Sequence, residues 1–188
     1  MIIVMDLETT GLIKGNNFLP GITQIGAVKY DAELNEIDSY VQDINPEIPA
    51  SDWQEGAIKL RGIGPGDLDH CPTFFAAFFG FAEFVRGSVI WSGFNIDNFD
   101  TKVLGRSLER YGFSQHFPWP SYHIDIMKVV MKEYGGRRKL GDVYSDLFGE
   151  KIVDAHEALP YIRATMRIGQ KLAPDLFYQT LERVELNS

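Results

Sequence analysis

The chain has 188 residues, 45% of them hydrophobic, which is enough for one domain with a sizeable core. It carries 18 lysines and arginines against 26 aspartates and glutamates, and this net charge of −8 argues against a broad basic surface that coats nucleic acid. No stretch approaches the roughly twenty apolar residues of a membrane span. Because Cys71 is the only cysteine, disulfides and a cysteine zinc site are excluded, and we predict a soluble cytoplasmic protein with a single domain over residues 1–188.

The first part of the chain predicts three successive strands, in the runs MIIVMDLE, ITQIGAVKY and NEIDSYVQDI. A helix follows in PTFFAAFFGFAEFVRG, between Thr73 as N-cap and Gly87 as its end. SVIWSGF predicts a short buried strand, and DTKVLGRSLERYG predicts an amphipathic helix closed by Gly112. Further helices are predicted near residues 124–134, 140–148, 157–171 and 174–185. These elements indicate an α/β fold with a central mixed β-sheet flanked by α-helices.

The phenylalanines of the first long helix have two interpretations. Aromatic rings can form a platform on which bases stack, but a spacing of three and four residues is typical of a helix face that packs on a sheet. We therefore predict core packing for this group, which comprises Phe74, Phe75, Phe78, Phe79, Phe81 and Phe84.

Asp6 and Glu8 stand one residue apart at the end of the first apolar run. In a strand they point to the same face, where two carboxylates repel each other unless a positive group lies between them. A capping or solvated pair is the alternative. Thr9, Thr10 and Gly11 follow as a tight polar turn, whose amides and hydroxyls suit a substrate's terminal sugar or phosphate.

Two further acidic segments open predicted helices. In SGFNIDNFD, Asp97 and Asp100 are candidate ligands, with helix capping as the alternative for Asp100. In DAHEAL, Asp154 and Glu157 have the spacing of a capping box. His156 lies beside these acids and is a candidate base, with a purely structural histidine as the alternative.

Acids from separate segments together with a histidine indicate metal-assisted hydrolysis of a phosphodiester. Carboxylate oxygens suit Mg²⁺ or Mn²⁺, and two such ions about 4 Å apart can hold the attacking water and the leaving oxygen. A neutral imidazole can accept the proton of that water. The sequence has no GxxxxGK[ST] phosphate loop, no HExxH zinc motif and no GxSxG nucleophile elbow, so competing chemistries have less support.

The order of these motifs resembles the DEDDh (DnaQ-like) branch of the 3′–5′ exonucleases, within the ribonuclease H-like superfamily. The resemblance covers about residues 1–172 and rests on VMDLETTGL, GFNIDNFDTKVL and AHEALPYIRAT, with AIKLRGI and RRKLGDVYSDLFG between them. It implies a ribonuclease H-like fold. It also implies an enzyme that hydrolyses single-stranded nucleic acid from the 3′ end and releases 5′-mononucleotides. By the same resemblance, Asp6, Glu8 and Asp100 would bind two Mg²⁺ or Mn²⁺ ions, and His156 would be the general base.

The resemblance also bears on substrate and partners. Asn95 and Phe99 match the N-x3-F-D form of exonuclease I-like enzymes and family B polymerases, which favours DNA over RNA. A polymerase or replication assembly is a candidate partner. We predict that the basic run Arg137, Arg138 and Lys139 contacts substrate phosphates, with a solvated loop as the alternative.

The third motif departs from the branch, which has His-x4-Asp. Tyr161 stands five residues after His156, where the last metal ligand belongs. A neutral phenol removes one negative charge, so we predict weak Mg²⁺ binding, better function with Mn²⁺, and Asp154 as a candidate replacement ligand. Besides an active exonuclease, two hypotheses stay open: a catalytically impaired protein of this fold that binds nucleic-acid ends or a polymerase, and a protein-interaction domain.

Overall fold

The computed structural model describes residues 1–15, 18–153 and 158–186. Within this part of the chain, five strands form one mixed sheet in the order β3-β2-β1-β4-β5. The first three strands are antiparallel neighbours, whereas β4 and β5 run parallel to β1. The strands are β1 (Ile2–Thr9), β2 (Ile22–Tyr30), β3 (Glu36–Asp43), β4 (Ile90–Gly93) and β5 (Tyr122–Asp125).

Helices surround the sheet, and in the described residues none of them is long and apolar enough to cross a membrane. A single 3-10 turn at Ala50–Asp52 precedes the first helix. The helices are α1 (Glu55–Arg61), α2 (Phe74–Val85), α3 (Asp100–Tyr111), α4 (Ile126–Tyr134), α5 (Leu140–Phe148), α6 (Ala158–Leu172) and α7 (Pro174–Leu186).

The alternation of side chains along β1 divides the core into two layers. Ile3, Met5 and Leu7 pack with α2 and α3 on one face of the sheet. Ile2 and Val4 point to the other face and pack with α4, α5, α6 and α7. Residues i and i+2 of a strand share a face. Asp6 and Glu8 therefore continue the face of Ile2 and Val4.

Most predicted elements are confirmed. The three opening strands form as expected, and the Thr73 side chain caps α2 by accepting a hydrogen bond from the backbone of Ala76. Gly112 ends α3 with a left-handed φ of 75°. The helix predicted from residue 124 is wrong at its start, because residues 122–125 form β5 and α4 begins only at Ile126. Residues 122–125 pair in parallel with β4, a contact that is distant in the sequence and that a local pattern does not show.

The phenylalanine prediction is correct for one side of α2. Phe74, Phe78 and Phe81 are buried in the core. Phe75 and Phe79 are 53% and 64% exposed and lie against the ring of Phe113 at the surface, so core packing was wrong for these two. The helix is hydrophobic on more of its circumference than the sheet can cover.

Candidate active site

Asp6 and Glu8 open into a cleft of about 300 Å³ at the end of β1. The two side chains share one face of the strand, as their spacing predicts. Asp100 and Tyr161 line the same cleft from α3 and α6. Three segments that are far apart in the sequence therefore meet at the end of β1, and each of them contributes a carboxylate or a phenol.

The approach of α6 to the sheet depends on Gly26, which pairs with Asp6 across β1 and β2. A Cβ at Gly26 would lie 2.4 Å from the Cβ of Ala158, so only glycine permits this packing. The side-chain oxygen of Gln24 also accepts a hydrogen bond from the Ala158 amide at 3.3 Å. These contacts fix the start of α6 and bring Tyr161 to the cleft.

Asp100 links α3 to β1. Its Oδ1 accepts a hydrogen bond from the backbone N–H of Leu7 at 3.0 Å, and the residue is only 3% exposed. Phe99 occupies the N-cap position, so the capping interpretation of Asp100 is wrong. Burial raises the pKa of the Asp100 carboxyl to about 7, with the charges of Asp125 and Glu8 adding to the rise and the Leu7 N–H opposing it.

The pKa of the Asp6 carboxyl is raised by the same two causes, burial and nearby negative charge. Loss of solvent raises the pKa of its carboxyl well above the usual range, and the nearby charges of Asp100 and Glu8 raise it further. Arg61 acts in the opposite direction. Tyr161 is half-buried, and burial followed by the charges of Asp6 and Glu8 raises the pKa of its phenol, which keeps it neutral.

Arg61 was missed by the sequence reasoning, which gave it no role within AIKLRGI. It is the last residue of α1, and its Nε lies 3.7 Å from Oε2 of Glu8. Its Nη1 donates a hydrogen bond to Oγ1 of Thr23 at 3.1 Å. The signal that could have found it is its position, since it is a cationic residue in a segment that connects two acidic motifs.

The loop after β4 is held by a second residue that the sequence reasoning missed, Asp125. Its carboxylate accepts hydrogen bonds from the amides of Asn95 at 2.9 Å, Asp97 at 3.4 Å and Met127 at 2.9 Å. Burial raises the pKa of Asp125, and these amides oppose the rise. The loop needs such support because Asn95 has a left-handed φ of 66°.

Asn95 lines the cleft, and the basic run reaches it through one residue. Nη2 of Arg137 donates a hydrogen bond to Oδ1 of Asn95 at 3.2 Å. Arg138 instead pairs with Asp146 at 3.0 Å, and Lys139 is exposed at the N-cap of α5. The structure thus brings Arg137 to the edge of the cleft and directs Arg138 to a helix surface.

Asp97 does not line the cleft, contrary to its prediction as a candidate ligand. Its carboxylate lies 2.6 Å from Nζ of Lys128 and 3.1 Å from Nδ1 of His123. Partial burial works against the charged form, but these two partners hold the pKa of Asp97 below its usual value. Two residues along the chain separate a surface ion pair from the cleft carboxylate Asp100.

The turn after β1 borders a second groove of about 340 Å³, which adjoins the carboxylate cleft and is lined by Thr9 and Gly11. Oγ1 of Thr9 donates a hydrogen bond to the carbonyl of Gly11 at 2.7 Å. Thr10 is fully buried, and its hydroxyl accepts a hydrogen bond from the Gly21 amide, so the structure does not bring this predicted substrate-binding residue to either groove. The side chain of Gln54 packs directly against Gly11, because a Cβ at this position would lie 2.2 Å from the Cδ of Gln54.

Three residues of the third motif, Asp154, His156 and Glu157, lie outside the described residues. Within residues 1–15, 18–153 and 158–186, no three histidine, cysteine, aspartate or glutamate side chains have the geometry of a metal site. Asp6 and Asp100 nonetheless fit a divalent cation by donor chemistry, because carboxylate oxygens suit Mg²⁺ and Mn²⁺ and a cation relieves their mutual repulsion.

Comparison with known families decides the relationship of the chain. The model of the exonuclease family RNase_T matches residues 3–168. The chain belongs to this exonuclease family. A comparison with curated protein sequences gave no match. Membership in the exonuclease family, predicted from the order of the motifs, is confirmed.

Solved structures of similar fold include those of exonuclease I from E. coli. Its complex with a dT13 oligonucleotide has a TM-score of 0.73 at 22% identity, over 94% of this chain and 42% of that chain. The zinc-bound form of its complex with single-stranded DNA has a TM-score of 0.76 at 21% identity. The present chain therefore spans about two fifths of the exonuclease I chain, and the predicted ribonuclease H-like fold is confirmed over that part.

Proposed function

We propose that this member of the exonuclease family is a metal-dependent 3′–5′ exonuclease that acts on single-stranded nucleic acid, preferring DNA, and releases 5′-mononucleotides. The observation that carries the proposal is the convergence of Asp6, Glu8 and Asp100 on one cleft. Carboxylates with raised pKa values that face each other are typical of catalytic sites. The single-stranded DNA in the exonuclease I structures supports the choice of substrate.

The shape of the two adjoining grooves suits the end of a strand. Leu12, Leu60 and Phe99 line both grooves, and the two leucines are 66% and 62% exposed. A terminal base can pack on these apolar walls while its phosphodiester lies over the carboxylates of the neighbouring cleft. Asn95 and Arg137 at the cleft edge offer an amide and a guanidinium to the next phosphate.

The proposed chemistry divides between a cation and the chain. When bound, divalent ions lower the pKa of water and neutralise charge on the leaving oxygen. Asp6 and Asp100 would hold such ions, with Glu8 as the third ligand and Asp154 as a candidate replacement for the carboxylate that Tyr161 lacks. His156, two residues before the fixed start of α6, is proposed to accept the proton of the attacking water.

The direct test uses a single-stranded DNA oligonucleotide labelled at its 5′ end, with Mg²⁺ or Mn²⁺. We expect a ladder that shortens from the 3′ end, faster with Mn²⁺, and its loss in EDTA or in Asp6→Asn. A matched RNA should be degraded more slowly. Lys59→Gln, at an exposed position of α1, is the control for a change of net charge. Folded protein that is inactive with both metals would overturn the proposal.

Tyr161 favours a second candidate function, a catalytically impaired protein that binds nucleic-acid ends or a polymerase. Its neutral phenol lines the cleft with Asp6, and it stands five residues after His156, where the family resemblance expects an aspartate. Binding of the oligonucleotide without turnover would support this candidate. Recovery of turnover in Tyr161→Asp would identify the missing carboxylate as the cause.

A further inference from the structure

Arg61 is the one lysine or arginine among the described residues that line the two grooves. It faces a group of three acids, and its Nε is 3.7 Å from Oε2 of Glu8. The Arg61 side chain is 7% exposed and that of Glu8 is 19% exposed, so solvent screens this pair weakly. The guanidinium is therefore a strong local source of positive charge in the cleft.

The hydrogen bonding of Arg61 is incomplete. Nη1 donates to Oγ1 of Thr23, but the buried Nε has no hydrogen-bond partner among residues 1–15, 18–153 and 158–186. A guanidinium has five N–H donors, and leaving a buried one unused costs free energy. Helix packing alone does not explain a cation in this position, because an apolar side chain would fill the same space without that cost.

We propose that Arg61 is a resident counter-ion of Glu8, which balances the carboxylate cluster when no metal is bound and competes with divalent cations for it. The inference rests on the proposed metal dependence. A cation that binds Asp6 and Glu8 meets the fixed positive charge of Arg61, and like charges within a few ångströms repel strongly at low solvent exposure. Arg61 is thus a positioning residue that holds Glu8 and sets the metal affinity.

The test is calorimetric titration of metal-free protein with MnCl₂ at pH 7.5. We expect Arg61→Gln to bind Mn²⁺ about tenfold more tightly than the wild type or better, because one opposing charge is removed. Arg61→Lys keeps the charge and should bind Mn²⁺ like the wild type. Lys59→Gln removes the same charge from an exposed position of the same helix and should change the affinity less than about twofold.

A second readout separates this role from simple packing. In EDTA, Arg61→Gln should melt at a lower temperature than the wild type, and saturating Mn²⁺ should raise its melting temperature by more than it raises that of the wild type. If Arg61→Gln does not fold, Arg61→Met, which keeps the length of the side chain, replaces it. In a Glu8→Gln background, the effect of Arg61→Gln on Mn²⁺ affinity should shrink.

The outcomes distinguish this inference from the proposed function. Mn²⁺ binding by the wild type, with the same or weaker binding by Arg61→Gln, would overturn the role of Arg61 and leave the metal-dependent exonuclease intact. Absence of Mn²⁺ binding by both proteins would overturn the proposed metal dependence and the inference with it. Tighter binding in Lys59→Gln by the same factor would reduce the effect to net charge and overturn the local role.

Discussion

Replacing Asp100 by asparagine should stabilise the metal-free protein while removing its activity. Asparagine keeps an oxygen that can accept the hydrogen bond from the Leu7 amide, but it cannot ionise. The folded-state pKa of Asp100, about 7, lies above its ordinary value because the residue is buried. The contribution of Asp100 to stability is therefore full at low pH and is lost as the pH rises through about 7.

The magnitude follows from the two pKa values. With an ordinary aspartate pKa of about 3.9 in the unfolded chain, the raised pKa of Asp100 lowers the free energy of unfolding by about 2 kcal/mol at pH 5.5 and by about 4 kcal/mol at pH 8, relative to a residue that cannot ionise. Asp100→Asn should recover most of this difference. It should also lower the pKa of Asp6, since the charge of Asp100 is one of the causes that raise it.

Urea denaturation in EDTA at pH 5.5 and pH 8 measures both values. We expect a higher free energy of unfolding for Asp100→Asn than for the wild type, with the larger gain at pH 8. Glu109→Gln, an exposed position on the same helix, should change neither. A variant that is no more stable than the wild type at pH 8, or a gain that is equal at the two pH values, would refute the reasoning.

Three further predictions concern activity and oligonucleotide binding. Tyr161→Asp should tighten Mn²⁺ binding in calorimetry and raise the exonuclease rate, and if neither changes, the third motif is misplaced. His156→Ala should slow the chemical step about a hundredfold or more in single-turnover assays, and its residual rate should lose the titration near neutral pH that we predict for the wild type. An equal loss of folding stability would instead make His156 a structural residue. Arg137→Gln should flatten the salt dependence of oligonucleotide binding, whereas Arg138→Gln, whose partner is Asp146, should leave the slope close to that of the wild type. Equal slopes for the wild type and Arg137→Gln would remove the phosphate contact.

Local patterns in the sequence were sufficient for most of the fold. The β-branched runs, the Thr73 cap and the Gly112 stop each act within one element, so their effect can be read from neighbouring residues. Residues 124 and 125 were predicted as helix but belong to β5, because the strand character of this segment comes from parallel pairing with β4, a contact that is distant in the sequence. The prediction that Phe75 and Phe79 lie in the core was wrong for a related reason, since periodicity along a helix does not show how far the sheet extends over it.

In the candidate site, too, some features follow from local sequence and others depend on contacts made only in the fold. The shared face of Asp6 and Glu8 follows from strand geometry alone. By contrast, Asp97 and Asp100 look alike in the sequence, and only the fold turns one to Lys128 and the other to Leu7. Arg61 belongs to no acidic motif, and its role depends on the distance of α1 from β1.

The carboxylates of the cleft are difficult to explain as elements of stability. Asp100 could keep its contact with Leu7 as an asparagine, and Asp6 lies where the charges of both neighbouring acids oppose its ionisation. Each ionised group at neutral pH costs the fold free energy that an uncharged side chain would not. Arg61 offsets part of this cost at Glu8, but one guanidinium cannot neutralise three acids. The remaining negative charge attracts divalent cations but lowers the stability of the fold. A cleft that keeps this charge is therefore better explained by catalysis than by folding.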